Sequence, residues 1–251
     1  MATFSRILCP VDFSKESAHA LTYAIALGRW SKCSLTGLHV YPVTVFSGVS
    51  GYPSFTPEPP DVEALEADLR AFLAPAQGAG LAVEVIVEGG DPARTIVERA
   101  QSTLADLIVM GTHGLSGFER FALGSVTEKV LRKAVPPVLT VPPMASPPSN
   151  VPFTRILCAV DFSPSSLAGL RLAASFARQA GTGLTLLHVL DTRPDDRAIG
   201  GQPVGVGEYL RECELDTRHQ LETLLPTDVA APVETQVRHG KPYADDPRRS
   251  G

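Results

Sequence analysis

A glycine-rich segment with the sequence MGTHGLSGFERFALGSVT, residues 110–127, holds the residues best suited to chemistry. Its glycines follow the spacing Gly111-x2-Gly114-x9-Gly124-Ser125, after an apolar run from Leu107 to Met110 and before a helical pattern from Val126 to Ala134. Glycine lets the backbone approach an anion, and the first turn of a helix offers N–H groups without intrahelical partners. A strand, a glycine loop and a helix N-terminus in this order predict a site for a phosphorylated ligand and favour a nucleotide.

Three related motifs are excluded by single residues. Gly124 and Ser125 are adjacent, whereas a P-loop has a lysine between its glycine and serine. Gly205-Val206-Gly207 begins a dinucleotide fingerprint, but Leu210 stands where its third glycine belongs. Gly114-Leu115-Ser116 begins a nucleophile elbow, but Phe118 stands where its last glycine belongs.

The composition is that of an ordinary globular protein of 251 residues, with 44% hydrophobic and 20% charged residues. A net charge of -5 provides no basic surface for nucleic acid. No apolar run approaches the ~20 residues of a membrane-spanning helix, and the N-terminal segment lacks the apolar core of a signal peptide. We therefore expect a cytoplasmic protein with no nucleic-acid or membrane partner.

The cysteines and histidines do not indicate a metal site. The four cysteines are far apart and form no C-x-x-C pair: they are Cys9, Cys33, Cys158 and Cys213. Cys9 and Cys158 lie inside apolar strands, where an unreactive buried thiol is the favoured interpretation. His39 and His188 lie near strand ends, and a packed, hydrogen-bonded histidine is favoured there over a ligand. Since no cluster has metal-ligand spacing, we expect no metal site built by the protein.

Apolar strands alternate with helical patterns around the glycine-rich segment. The strands are predicted at residues 7–11, 35–40, 83–87, 107–110 and 138–141. The helices are predicted from Ser14 to Trp30, from Asp61 to Leu73, from Pro92 onward and from Val126 to Ala134. Such alternation predicts a parallel sheet with helices on both faces.

The sequence also repeats itself at an offset near the usual size of one domain. Arg6-Ile-Leu-Cys-Pro-Val-Asp-Phe-Ser14 returns as Arg155-Ile-Leu-Cys-Ala-Val-Asp-Phe-Ser163, and Leu38-His39-Val40 returns as Leu187-His188-Val189. We therefore predict two homologous domains, residues 1–143 and 153–251, joined by a proline-rich linker at residues 144–152.

The second copy follows the first only through its third strand, Val233 to Val237, and Gly240. It has no counterpart of the glycine motif or of the last two strands. A frameshift or truncation is the favoured explanation, and a deliberately shortened module is the alternative. Either way, its first strand, Ile156 to Val160, is predicted to have an open apolar edge, and this half is expected to be less stable or to be completed by a partner.

Taken together, the repeat, the strand pattern and the complete glycine motif resemble the tandem universal stress proteins. The resemblance covers the whole first copy and the second as far as Gly240. It implies an open, Rossmann-like α/β sheet of strand order 3-2-1-4-5, with a ligand crevice at the carboxyl ends of strands 1 and 4. It also implies ATP as the ligand and a homodimer formed through the strand-5 edge, Val138 to Val141.

The resemblance assigns a role to each part of the candidate site. The adenine is expected near Pro10, Val11, Asp12 and Val40, and the ribose near Met110 and Gly111. The phosphates are expected at Gly114, Gly124, Ser125, Val126 and Thr127. His113 occupies a variable position of the motif, where contact with the triphosphate and exposure to solvent are equally good interpretations.

Two of these residues have structural alternatives. Ser125 and Glu128 have the spacing of a capping box, which would explain the serine but not the three glycines before it. Asp12 has the position of a cap for the first helix, the role expected for Asp161 in the second copy. Glu128 lies close to the expected triphosphate, which favours a requirement for Mg²⁺ to offset the charge.

Three functions are compatible with these observations. The first is an ATP-binding stress-response protein whose nucleotide state alters a surface that a regulatory partner recognises. The second is a slow ATPase or an enzyme that transfers part of an adenine nucleotide, and the third is an interaction module with a vestigial site. The sequence lacks a constellation of base, lysine and metal carboxylates for phosphoryl transfer, so we predict binding without catalytic residues.

Overall fold

The structure is a computed structural model that describes residues 4–43, 60–112, 123–146, 148, 153–191, 206–224 and 232–240. The chain divides into two compact units, Met1–Pro152 and Phe153–Gly251. The residues predicted as a linker lie at the end of the first unit.

Strands and helices alternate in the first unit. Its elements are β1 (Arg6–Pro10), α1 (Lys15–Ser31), β2 (Ser34–Tyr41), α2 (Val62–Phe72), α3 (Ala74–Gly78), β3 (Val83–Gly89), α4 (Pro92–Ser102), β4 (Leu107–Gly111), α5 (Ser125–Lys133) and β5 (Val138–Val141). The predicted elements are present with their ends shifted by a residue or two, and the short helix α3 is an addition. Side chains define the helix starts: Ser14 accepts a hydrogen bond from Ser17 N at 3.0 Å, and Asp91 accepts one from Arg94 N at 2.9 Å.

All strands of this unit pair in parallel, in the order β3-β2-β1-β4-β5. The strand order implied by the resemblance is confirmed. Helices α4 and α5 cover one face of the sheet, where Ile96 and Val130 pack against the fully buried Leu8, Leu38 and Ile108. Because β1 and β4 are neighbours whose crossover connections leave in different directions, a crevice opens at their carboxyl ends.

The second unit consists of β6 (Arg155–Ala159), α6 (Pro164–Ala180), β7 (Gly183–Leu190), α7 (Val206–Thr223) and β8 (Val233–His239). Its strands form a parallel sheet of order β6-β7-β8. Helices α6 and α7 cover one face through a core that includes Leu170, Ala174 and Leu221. Within the described residues, β6 pairs on one side only. This is the open apolar edge that the sequence predicts.

The cysteine side chains are all free thiols, and three of them are buried. Burial raises the pKa of Cys9 to about 12, and burial with a smaller effect of the Asp106 charge raises that of Cys33 to about 11. Burial also raises the pKa of Cys158. The prediction of unreactive thiols at Cys9 and Cys158 is thereby supported.

The three buried thiols should react slowly in the native protein. The thiolate is the reacting form, and a raised pKa makes it scarce at pH 8. We expect the half-buried Cys213 to react rapidly with an aromatic disulfide reagent in the native protein, and the other thiols to react only after unfolding. Absorbance of the released thiolate measures both phases. In Cys213→Ser the rapid phase should disappear, and a rapid phase that persists in this variant would contradict the assignment.

Candidate functional site

A cavity of about 270 Å³ lies at the carboxyl ends of the central strands. Strands β1, β2 and β4 and the first turns of α1, α4 and α5 all contribute to its walls. The lining residues are Pro10, Val11, Asp12, Ser17, Leu38, Val40, Pro92, Ile96, Met110, Gly111, Gly124, Ser125, Val126 and Thr127. Residues more than a hundred positions apart therefore meet in one cleft.

Every predicted site residue within the described part of the chain lines this cavity. His113 and Gly114 were also predicted, and they lie outside the described residues. Sequence reasoning missed Ser17, Leu38, Pro92 and Ile96. Two of these had a usable signal, since Pro92 was predicted to open a helix and Ile96, four residues later, lies on the same helical face.

The first turn of α5, with the N-cap before it, forms part of the cavity wall. Gly124 is the N-cap, with φ -58° and ψ 145°, and it makes no side-chain capping hydrogen bond. Its own N–H donates to Thr112 O at 2.7 Å, while its carbonyl accepts from Glu128 N at 2.9 Å. The N–H groups of the next residues, Ser125 to Thr127, precede the first intrahelical bond and have no partner among the described residues.

Ser125 does not form the capping box that its spacing with Glu128 allows. It is the first residue of α5 rather than the residue before the helix, so its hydroxyl is not in the capping position. Glu128 instead pairs with Arg132, one turn further along the helix. The structural alternative for Ser125 is therefore wrong, and the charge of Glu128 is offset within its own helix.

Thr127 connects α5 to the end of β4. Its side chain is buried, and its hydroxyl donates a hydrogen bond to Gly111 O at 3.0 Å. Together with the bond from Gly124 N to Thr112 O, this contact fixes the start of the helix against the strand. Since the hydroxyl already has an acceptor, Thr127 can offer a ligand its backbone N–H.

A matched pair of variants tests this contact. Thr127→Val preserves shape but leaves the buried Gly111 carbonyl without its donor, which should lower the free energy of unfolding by about 1–3 kcal/mol. Thr127→Ser keeps the hydroxyl and should lose less. Urea unfolding followed by the fluorescence of Trp30, the chain's one tryptophan, reports on the first unit. Equal midpoints for the two variants would contradict the role given to the hydroxyl.

Asp12 supports the start of α1 without capping it directly. Its Oδ1 accepts hydrogen bonds from the Ser14 N–H at 3.0 Å and from the Ser14 hydroxyl at 2.5 Å, and Ser14 is the cap. In the second unit Asp161 accepts from Ser163 N at 2.9 Å, and hydrogen bonds from Ser163 and Ser166 lower its pKa to about 2. The contact with the capping serine thus belongs to both repeats, whereas Asp12 also lines the cavity.

Both strand-end histidines are packed and hydrogen-bonded, as predicted. His39 Nδ1 lies 2.8 Å from Val11 O, and its ring centroid lies 4.6 Å from that of Phe13. In the second unit, His188 Nδ1 lies 2.7 Å from Val160 O and the ring packs against Phe162. Because the same arrangement occurs in a repeat without the glycine motif, it stabilises the strand-to-helix turn in each unit.

The donor set of the cavity suits an anion bound by backbone N–H groups. It combines the start of α5 with an apolar wall formed by Val40, Ile96 and Met110. Among the described residues, no group of three His, Cys, Asp or Glu side chains could hold a metal ion. The described helices also include none that is long and apolar enough to cross a membrane.

Comparison with known proteins gives one consistent result. The profile of the universal stress protein family matches residues 3–142 and again residues 152–248. A universal stress protein from Methanocaldococcus jannaschii is 36% identical over 140 residues, which is 55% of this chain and 82% of that protein. A relative from Staphylococcus aureus strain USA300 is 34% identical over 143 residues, or 56% of this chain and 86% of the relative.

Among solved structures, a universal stress protein from Archaeoglobus fulgidus aligns with both repeats. The alignment has a TM-score of 0.61 and 23% identity, and it covers 96% of this chain and 80% of that one. At this identity the likeness shows the fold. Since the family profile matches both halves of the sequence, the chain belongs to the universal stress protein family.

Proposed function

We propose that the first repeat binds ATP and that the bound nucleotide changes a surface recognised by a regulatory partner. One observation carries the proposal: the residues assigned from the glycine motif and from the first strand line the same cavity. That cavity faces the start of a helix whose first N–H groups are unsatisfied within the described residues. Such a helix start favours phosphate through both hydrogen bonding and its partial positive charge.

The cavity walls suggest how the nucleotide would lie. The apolar side chains of Val40, Ile96 and Met110 suit the faces of a base, and Asp12 offers a carboxylate for polar ligand groups. The phosphates would lie against Gly124 and the first turn of α5. Bound ATP would bring negative charge to this helix start, and Mg²⁺ would accompany the nucleotide because phosphate oxygens are its usual ligands.

The cellular compartment and the oligomeric state complete the proposed function. We propose a cytoplasmic protein, which agrees with the free state of its cysteines in a reducing compartment. We also propose a homodimer formed through β5, the edge strand nearest the cavity in the sheet order. A surface at this edge would be well placed to respond to the nucleotide, because β5 pairs directly with β4.

Ser125 permits a test of backbone donors separately from side-chain donors. Ser125→Ala removes the hydroxyl, whereas Ser125→Pro also removes the N–H at the first helical position, where proline is well tolerated. The extended backbone of Gly124 suits a residue before proline. Since a hydrogen bond to a charged group contributes about 1.5–3 kcal/mol, Ser125→Pro should weaken ATP binding by about ten- to a hundredfold, and more than Ser125→Ala does.

Lys15→Pro is the matched control for this experiment. Lys15 is the first residue of α1, and its counterpart in the second repeat is Pro164, the first residue of α6. The control should therefore fold and bind ATP with unchanged affinity in a calorimetric titration. If Ser125→Pro also binds ATP as the unaltered chain does, the helix start does not hold the phosphates.

Titration with ATP, ADP and AMP tests the proposed function itself. Because the donors are proposed to contact the phosphates, affinity should rise with phosphate number. Binding without ADP release supports a nucleotide-dependent regulatory protein. Steady ADP release that disappears with altered site residues would show an ATPase instead, and equal affinity for the three nucleotides would contradict phosphate recognition.

A further inference from the structure

The outer edge of β6 presents backbone groups in a regular order. Val160 N donates to Leu187 O at 2.8 Å, so Val160 and every second residue before it direct their backbone groups toward β7. In a parallel ladder the intervening residues direct theirs to the opposite side. Arg155, Leu157 and Ala159 therefore present N–H and C=O groups along the open edge.

The first repeat shows what this edge looks like when it is paired. There Arg6 O, the counterpart of Arg155 O, accepts a hydrogen bond from the N–H of Asp106, the residue before β4, and Leu8 pairs with Ile108. Leu8 is also covered by α4 and α5 and is 0% exposed, whereas its counterpart Leu157 has no such helices over it among the described residues and is 63% exposed. An open strand with an exposed leucine at its centre is a template for pairing with another strand.

We propose that β6 pairs antiparallel with β6 of a second copy of this chain, about a two-fold axis at Leu157. In this register Leu157 lies opposite Leu157 of the second copy, and Arg155 lies opposite Ala159. The outward-facing groups of each chain then meet as hydrogen-bonded pairs, which exchange both backbone bonds. A two-fold axis makes the contact self-complementary, so each β6 edge accepts one second copy.

The charges at the ends of β6 favour this register over a staggered one. Arg155 is exposed, and the exposed Asp161 follows Ala159 by two residues. Antiparallel pairing at Leu157 brings Arg155 of one chain diagonal to Asp161 of the other, a distance that a long side chain can bridge. The two-fold axis produces this attraction at both ends and keeps the two Arg155 side chains apart.

Light scattering of the full chain over a range of concentrations is the first test. The unaltered chain should show masses above the 26.7 kDa of one chain, and Leu157→Lys should reduce the mass at every concentration. Leu215→Lys is the matched control, because Leu215 is 67% exposed on α7 of the same unit, and its mass should not change. If Leu157→Lys leaves the mass unaltered, or if the unaltered chain is monomeric throughout, the proposal is wrong.

A proline substitution separates backbone pairing from side-chain effects. Ala159→Pro removes an outward-facing donor while retaining the bonds to β7, and the first repeat carries Pro10 at the equivalent position of β1. The variant should therefore fold, but its β6-paired dimer should dissociate at a concentration at least about tenfold higher than that of the unaltered chain. Unchanged association of this variant would show that strand pairing is not the contact.

Crosslinking locates the two-fold axis. In a Cys213→Ser background, Leu157→Cys should form a disulfide-linked dimer under mild oxidation, because paired antiparallel residues have Cα atoms about 5.5 Å apart. Leu215→Cys in the same background should remain monomeric on a non-reducing gel. A Leu157→Cys chain that crosslinks no faster than this control would overturn the register.

Discussion

Gly124→Val is expected to weaken ATP binding by at least about a hundredfold, a loss of roughly 2.7 kcal/mol or more. Gly124 is the N-cap of α5 and lines the cavity beside the first helical N–H groups. A branched side chain at this position would occupy the space through which a phosphate approaches those donors. Valine is also a poor N-cap, so a decrease in stability of about 1 kcal/mol is expected as well.

Gly78→Val provides the matched control for this prediction. Gly78 is the exposed last residue of α3 in the same unit, and an added Cβ would meet no atom within 4 Å. Calorimetric titration should give the control the affinity of the unaltered chain. If a folded Gly124→Val chain binds ATP within a fewfold of that affinity, the phosphates do not bind at the start of α5.

Leu8→Ala and Leu157→Ala should differ widely in stability although they alter the same position of the two repeats. Leu8 is fully buried beneath α4 and α5, so its truncation leaves a cavity and should lower the free energy of unfolding by about 2–5 kcal/mol. Leu157 is 63% exposed, so its truncation should change the stability of the single chain by about 0.5 kcal/mol or less.

Urea unfolding at low protein concentration measures this difference. With Trp30 as the probe of the first unit, Leu8→Ala should lower the midpoint by about 1–2 M, given the usual dependence on urea for a domain of this size. Leu157→Ala should leave that midpoint unchanged, and far-ultraviolet circular dichroism should show little change for the second unit. Comparable losses in the two units would contradict the burial assigned to β6.

The tetrapeptide Arg-Ile-Leu-Cys shows how far sequence reasoning reaches in this chain. It occurs at 6–9 and at 155–158, and it forms a parallel strand in both places. Its apolar pattern is sufficient to predict the strand. The burial of the leucine could not be predicted from the tetrapeptide. Leu8 is buried because β4, α4 and α5 lie beside it, and Leu157 is exposed because the described part of the second unit has no counterparts of them.

The candidate site was predictable for the same reason that the fold was. The strand order brings the carboxyl ends of β1 and β4 together, so Asp12 and Gly111 had to meet once that order was known. Pro92 and Ile96 were missed because they enter the cavity from α4, whose placement depends on helix packing. From the sequence, α5 could begin after Ser125 as the cap or after Gly124. The structure has Gly124 as the N-cap, and the hydrogen bond from Gly124 N to Thr112 O accompanies this start.

The most direct test of the account is a titration of the ¹⁵N-labelled full chain with ATP, followed by the backbone amide resonances of Ser125, Val126 and Thr127. These N–H groups are proposed to donate to the phosphates, so their resonances should move saturably with ATP, and less with AMP. Ligand-induced shifts should be absent at the start of α6, whose N-cap Ser163 already accepts from Ser166 N. Saturating ATP that leaves the resonances of Ser125 to Thr127 unmoved would contradict the central claim.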